Sequence, residues 1–185
     1  MPDFDQATAV IFGCAGVRLN VWERSFFAST QPFGFILFAR NIESESQIQS
    51  LTQELRHCVG RQAPILIDQE GGRVARLRPP RWRAIPPASD FGAIATKDMK
   101  RAEGAVFINH RLIAAELSVL GIDADCAPLI DLQFPGAHDV IGNRAYGSDP
   151  AQVARLGRKA AEGLMAGGVT PIIKHIPGHG RALVD

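Results

Sequence analysis

Short apolar runs alternate with helical stripes along the chain. Ala7 to Phe12, Gly34 to Ala39, Pro64 to Ile67, Ile122 to Ile130 and Thr170 to Ile173 read as five strands. None alternates cleanly between apolar and polar residues, as expected for parallel strands covered on both faces. Helical patterns lie between them. Ser44-Glu45-Ser46-Gln47 fits a capping box, Ile48, Leu51, Leu55 and Val59 then share one face, and Gly60 supplies the stop. Ala102, Val106, Ile113, Leu117 and Leu120 form a second stripe, ended by Gly121. Asp149-Pro150 places an N-cap before proline at the first helical position, with Val153, Leu156, Ala160 and Leu164 following. Asn20 to Thr30 carries a weaker helical pattern.

A βα repeat implies a parallel sheet, either an open doubly wound sheet or part of a (β/α)8 barrel. Gly13-Cys14-Ala15-Gly16, after the first strand, is a poor dinucleotide-type phosphate loop, which weighs against the open sheet. Polar groups follow several strands at their C-terminal ends: Asn41, Asp68 to Arg76, Asp131 to Arg144, and Lys174 to Asp185. Barrel enzymes assemble their sites on that face. The expected fold is therefore a TIM (β/α)8 barrel, truncated after about five β/α units.

Composition narrows the function classes. A net charge of +1 with no basic stripe leaves no footprint for nucleic acid. No apolar run approaches the roughly 20 residues needed to span a bilayer, so no membrane partner is expected. The acidic start, Met1 to Gln6, lacks the regions of a signal peptide. Cys14, Cys58 and Cys126 are odd in number and widely spaced, which reads as free thiols in a reducing cytosol. A cytoplasmic location is expected.

Three segments carry chemistry. Asp68-Gln69-Glu70-Gly71-Gly72-Arg73-Val74-Ala75-Arg76 packs two carboxylates, an amide and two guanidiniums around a glycine pair that permits a sharp turn. Asp68 can accept from two adjacent hydroxyls and Arg76 can donate in a fixed fork, which suits a polyhydroxylated ligand. For Glu70 and Arg73 a structural ion-pair network at the barrel rim is the favoured reading. Arg144, flanked by Gly142 and Gly147, can equally swing into a pocket or stay on a flexible turn, whereas His138 and Asp139 read as solvated loop residues. In Lys174-His175-Ile176-Pro177-Gly178-His179-Gly180, Lys174 and His175 sit at a strand end, suited to donate to ligand hydroxyls. His179 reads as a structural histidine bonded to loop backbone. His175, His179 and Asp185 also suggest a metal site, but Pro177-Gly178 breaks the helix that would put both imidazoles on one face.

These blocks together resemble the bacterial β-N-acetylhexosaminidases of glycoside hydrolase family 3, of the peptidoglycan-recycling type. The likeness rests on Asp68 to Val74, on Ile141-Gly142-Asn143-Arg144, and on Lys174 to Gly180, in order and in register. Ala145, Tyr146 and Ile176 stand where Ser, Phe and Phe are commoner. The resemblance implies residues 1–185 as the N-terminal portion of a single barrel domain. It implies removal of terminal nonreducing β-linked N-acetylglucosamine from muropeptides, with retention of configuration and no cofactor. The family uses an Asp nucleophile and, unlike the usual carboxylate pair, a loop His as acid/base. By motif position, Asp68, Arg76, Arg144, Lys174 and His175 correspond to sugar-binding residues. Asp185 corresponds to the Asp that supports the catalytic His, which itself would fall just beyond it. The nucleophile is expected on a later strand.

On that reading these residues alone are expected to be inactive and poorly folded, since open strand edges and an uncovered core would remain. Two other readings stay open: a sugar-binding module or pseudoenzyme without turnover, and a metal-dependent hydrolase using His175, His179 and Asp185.

Overall fold

A computed structural model describes residues 7–183. The elements run β1 (Thr8–Phe12), α1 (Val21–Thr30), β2 (Pro32–Leu37), α2 (Glu45–Val59), β3 (Ile65–Ile67), α3 (Ala88–Ala95), α4 (Met99–Val119), β4 (Ala124–Asp125), α5 (Pro150–Ala166) and β5 (Thr170–Pro171). All five strands pair parallel, in the order β1-β2-β3-β4-β5. Spatial order equal to chain order means that every crossover steps in the same direction. A doubly wound sheet reverses its order at a switch point, and this one does not. The sheet is therefore an arc of a TIM-barrel-like fold, as expected from the sequence.

The helix ends form where local chemistry satisfies them. Asn20 accepts from the Glu23 amide while the Glu23 carboxylate accepts from the Asn20 amide, a reciprocal cap that makes α1 a firm helix despite its weak stripe. Ser44 accepts from the Gln47 amide, but the Gln47 side chain accepts from the Glu43 amide. The capping box expected at α2 is thus only half formed. Asp149 accepts from the amides of Ala151 and Gln152 ahead of α5, and Gly60 ends α2 at φ 66°.

Phe35, Leu37, Ile65 and Ile67 are almost wholly buried in the central strands, with Ile48, Leu51 and Leu55 of α2 and Ile113 and Leu117 of α4 packed over them. A second cluster joins Phe91 of α3, Val106 of α4 and Val153, Leu156 and Ala160 of α5 around the Tyr146 ring. The outer strands are different: Ile11 is 42% exposed, and Ile172 and Ile173, just past β5, are 36% and 47% exposed. Among the described residues no helix is long and apolar enough to cross a membrane.

One sequence expectation is corrected and one helix is added. The run Ile122 to Ile130 pairs as a strand only at Ala124–Asp125. Pro128 has no amide to give to a ladder, and beyond β4 the pairing thins to bonds from the Cys126 amide to Ile67 and from the Ile172 amide to Ala127, and an isolated bridge between Leu129 and Lys174. Helix α3 carries no long stripe and was not expected; it buries Phe91, Gly92 and Ala95.

Candidate carbohydrate-binding site on the strand rim

The loop after β3 turns on Gly71 and Gly72, which adopt φ 107° and 54°, a region that favours glycine. Bonds from the Glu70 and Gly71 amides to the Val74 carbonyl close the turn, and the Gly72 amide reaches the Ile85 carbonyl. Gln69, fully buried, accepts from the amides of Arg76 and Leu77 and donates to the Leu77 carbonyl. This one amide side chain holds both ends of the loop, so Asp68 and Arg76 face each other. Arg76 donates to Asp68 Oδ2 at 3.0 Å.

Lys174 reaches the same carboxylate from the far edge of the sheet. The Ile130 amide donates to the Lys174 carbonyl and the Lys174 amide to the Pro128 carbonyl, which sets Lys174 beside the end of β4. Its Nζ lies 2.8 Å from Asp68 Oδ1 and 2.6 Å from Glu70 Oε1. Arg144 donates to both oxygens of Glu70, at 2.9 and 2.8 Å, a bidentate pair. Arg76, Asp68, Lys174, Glu70 and Arg144 therefore form one continuous chain of alternating charge.

Electrostatics follow from this packing. Burial would raise the Asp68 carboxyl, but the hydrogen bond and charge of Lys174, joined by Arg76, outweigh it and hold its pKa below the usual carboxylate value. Burial likewise works against the Lys174 ammonium, and Glu70 and Asp68 outweigh it to leave the pKa raised. The bidentate bond that Arg144 donates to Glu70 raises its own pKa further. Asp68, Lys174 and Arg144 are thus each held in the charged form near neutral pH.

Asp68, Arg76, Arg144, Lys174 and His175 line one pocket of about 470 Å3, together with Val140, Ile141 and His179. That volume suits a small molecule. The structure thus brings together every described residue the sequence assigned to sugar binding. Asp185, expected to support a catalytic histidine, lies outside the described residues. Glu70 stands behind the pocket with its side chain 8% exposed, tying Arg144 to Lys174. Arg73 lines the outer rim, donating to the Val140 carbonyl and pairing with the exposed Asp139. Asn41, at the end of β2, is wholly buried and donates to the carbonyls of Cys14 and Gly16, so it staples two loops.

One residue escaped the sequence reading. The Asp131 side chain, just beyond β4, is fully buried and receives three bonds from the loop after β5. The His175 amide and His175 Nδ1 reach its Oδ2 at 3.3 and 2.6 Å, and the His179 amide reaches Oδ1 at 2.5 Å. His179 is thus anchored through its backbone, while its ring sits edge-on to His175 with centroids 5.9 Å apart. Among the described residues no group of three or more His, Cys, Asp or Glu is placed to hold a metal ion.

The loop also depends on a close approach at Gly180, where an added Cβ would overlap the Leu132 carbonyl oxygen. Gly180→Ala is expected to push the loop off the segment that follows β4 and destabilise the protein by about 1–3 kcal/mol, read by urea denaturation. A variant of parental stability would mean the loop is not seated this way.

An arc of parallel strands with paired charges gathered on its C-terminal rim is the layout of a barrel enzyme's ligand site. Residues 11–185 match the model of the glycosyl hydrolase family 3 N terminal domain, and the chain belongs to that family. It is 36% identical over 176 residues to a beta-hexosaminidase of Xylella fastidiosa, covering 95% of this chain and 52% of the relative. The crystal structure of native NagZ from Neisseria gonorrhoeae superposes with a TM-score of 0.89 at 36% identity, over 95% of this chain and 51% of that one. The same Neisseria protein was also solved in complex with N-trifluoroacetyl-D-glucosamine. The chain spans about half the length of the curated relatives it matches.

Proposed function

We propose that this chain forms the sugar-binding part of a β-N-acetylhexosaminidase. The whole enzyme removes terminal nonreducing β-linked N-acetylglucosamine from peptidoglycan-derived muropeptides in the cytoplasm, with retention of configuration. The observation that carries this reading is the alternating chain from Arg76 through Asp68 and Lys174 to Glu70 and Arg144 on the rim of one pocket. A sugar ring presents neighbouring hydroxyls that each donate and accept. Asp68 offers accepting oxygens already flanked by the donors of Arg76 and Lys174, so a diol is met by both kinds of group without rearrangement. The beta-hexosaminidase relatives, and the glucosamine derivative bound to the Neisseria protein, favour an amino sugar over other polyols.

By the resemblance, the nucleophile and the acid/base are residues other than the five that line the pocket, and the role proposed for those five is to hold the sugar. Asp185 is proposed to support the acid/base. Calorimetry of the purified chain is expected to show N-acetylglucosamine binding, and absence of binding would remove the sugar-site reading.

A further inference from the structure

We propose that Asp131 is a positioning residue that fixes the tautomer of His175, so that His175 Nε2 meets the ligand as a hydrogen-bond acceptor. The inference rests on the sugar-binding reading of the pocket and adds the direction of one of its bonds. It starts from a sealed carboxylate. The Asp131 side chain has no solvent exposure, and the three groups turned toward it are the His175 amide, the His179 amide and His175 Nδ1. Two of these are obligate donors, one on each oxygen. Oδ2, already receiving the His175 amide, lies 2.6 Å from Nδ1. An ionised carboxylate only accepts, so the proton between Oδ2 and Nδ1 belongs to the ring.

A neutral imidazole carries one proton, and holding it on Nδ1 leaves Nε2 as a bare acceptor. The ring lines the pocket and its side chain is 39% exposed. The neighbouring cations Lys174, Arg144 and Arg76 only donate, and Asp68 is the carboxylate that lines the same pocket. Asp68 already receives Lys174 and Arg76. A second, neutral acceptor lets the pocket take a donating ligand hydroxyl or amide N–H without adding negative charge. This reverses the donor role that the sequence alone suggested for His175. The same carboxylate holds the His179 amide, so loop position and ring tautomer are set by one group.

The experiment reads the ring directly. In the purified chain at neutral pH, nitrogen-15 NMR of His175 is expected to show a protonated Nδ1 and an unprotonated Nε2. The Nε2 resonance should shift on addition of N-acetylglucosamine. Asp131→Asn replaces one accepting oxygen with an amide that donates. With its NH2 turned to His175 the amide donates to Nδ1, and the variant is expected to populate the Nε2–H tautomer; turned the other way, the NH2 opposes the His179 N–H and the loop anchor is lost. Affinity for N-acetylglucosamine should fall by about 10-fold, the scale of one lost hydrogen bond. In a His175→Gln background Asp131→Asn should cost clearly less, because the part of its effect that passes through the ring is then gone and only the backbone anchor remains.

An Nε2–H tautomer in the unmodified chain would overturn the proposal, and that spectrum decides even if Asp131→Asn fails to fold. So would an undiminished Asp131→Asn penalty in the His175→Gln background, which would leave Asp131 as a loop anchor alone. If the tautomer is as expected but N-acetylglucosamine does not bind, the sugar reading fails and the assignment to Asp131 stands.

Discussion

Lys174→Met is expected to lower stability by about 3–5 kcal/mol and to abolish N-acetylglucosamine binding. The magnitude comes from what the ammonium leaves behind. Lys174 Nζ bridges Asp68 and Glu70, and the three side chains are only 13%, 18% and 8% exposed. Taking away one member of a buried ion pair strands its partner's charge, which typically costs about that much. Here one cation serves two carboxylates. Arg76 and Arg144 compensate in part, each holding one of them, which keeps the estimate inside that range. Against a typical total stability of about 5–15 kcal/mol, such a loss is large. Lys159→Met is the control. Its pairing with Glu162 joins side chains 36% and 38% exposed within one helix, so it should cost well under about 1 kcal/mol. Urea denaturation at neutral pH checks both variants. Adding Glu70→Gln to Lys174→Met should return part of the loss, because one of the two stranded charges is then gone. A Lys174→Met protein within about 1 kcal/mol of its parent would show that the bridge lies in solvent and not in a protected pocket.

How much was legible in the sequence depended on the range of the interaction. The Asp149 cap and the Gly60 stop are local signals that the structure places, and each predicted strand run contains a strand, though not always over its full length. A barrel in preference to an open doubly wound sheet was inferred from where polar groups fall along the chain, and the strand order agrees with it. β4 was read too long because apolar character continues to Ile130, whereas ladder formation depends on amides and fails at Pro128. α3 was missed because a helix of eight residues carries barely two turns of stripe, and it follows Pro86-Pro87. At the site, Asp68, Arg76, Arg144, Lys174 and His175 were named from dense motifs, which are local. Asp131 was passed over because its partners lie 44 and 48 residues away in sequence. No pattern near Asp131 announces them. Glu70 shows a further limit: composition marks it as an ion-pair residue, but only the fold shows that its partners are Arg144 and Lys174 together.

Two buried titratable groups away from the ion chain lead to the other large expected effect, a change in how stability depends on pH. Asp125 of β4 is fully buried and accepts the Gln69 amide on Oδ1. Burial pushes its carboxyl up to about 7, against that hydrogen bond and the Lys174 charge. His110 of α4 is 2% exposed with Nδ1 2.9 Å from the Val106 carbonyl, and burial, aided by Arg83, pulls it down to about 4. Their unfolded values are about 3.9 and about 6.5. Between about pH 4 and 7 folded Asp125 holds a proton that the unfolded chain has lost, so its contribution falls by about 1.4 kcal/mol per pH unit. Between about pH 4 and 6.5 unfolded His110 holds a proton that the folded chain refuses, so its contribution rises at the same rate. The two slopes cancel over most of that window, and the parent protein should be nearly flat there. Asp68, with its lowered carboxyl, acts below this range, and Lys174, with its raised ammonium, above it. Asp125→Asn exposes the histidine term, and stability should then rise by on the order of 3 kcal/mol from pH 4 to 6.5. His110→Asn exposes the aspartate term, and stability should fall by on the order of 4 kcal/mol from pH 4 to 7. Urea unfolding across pH 4 to 8 measures all three curves. Opposite slopes in the two variants are the signature of a matched pair, whereas curves parallel to the parent's would mean that neither group is held away from its ordinary pKa.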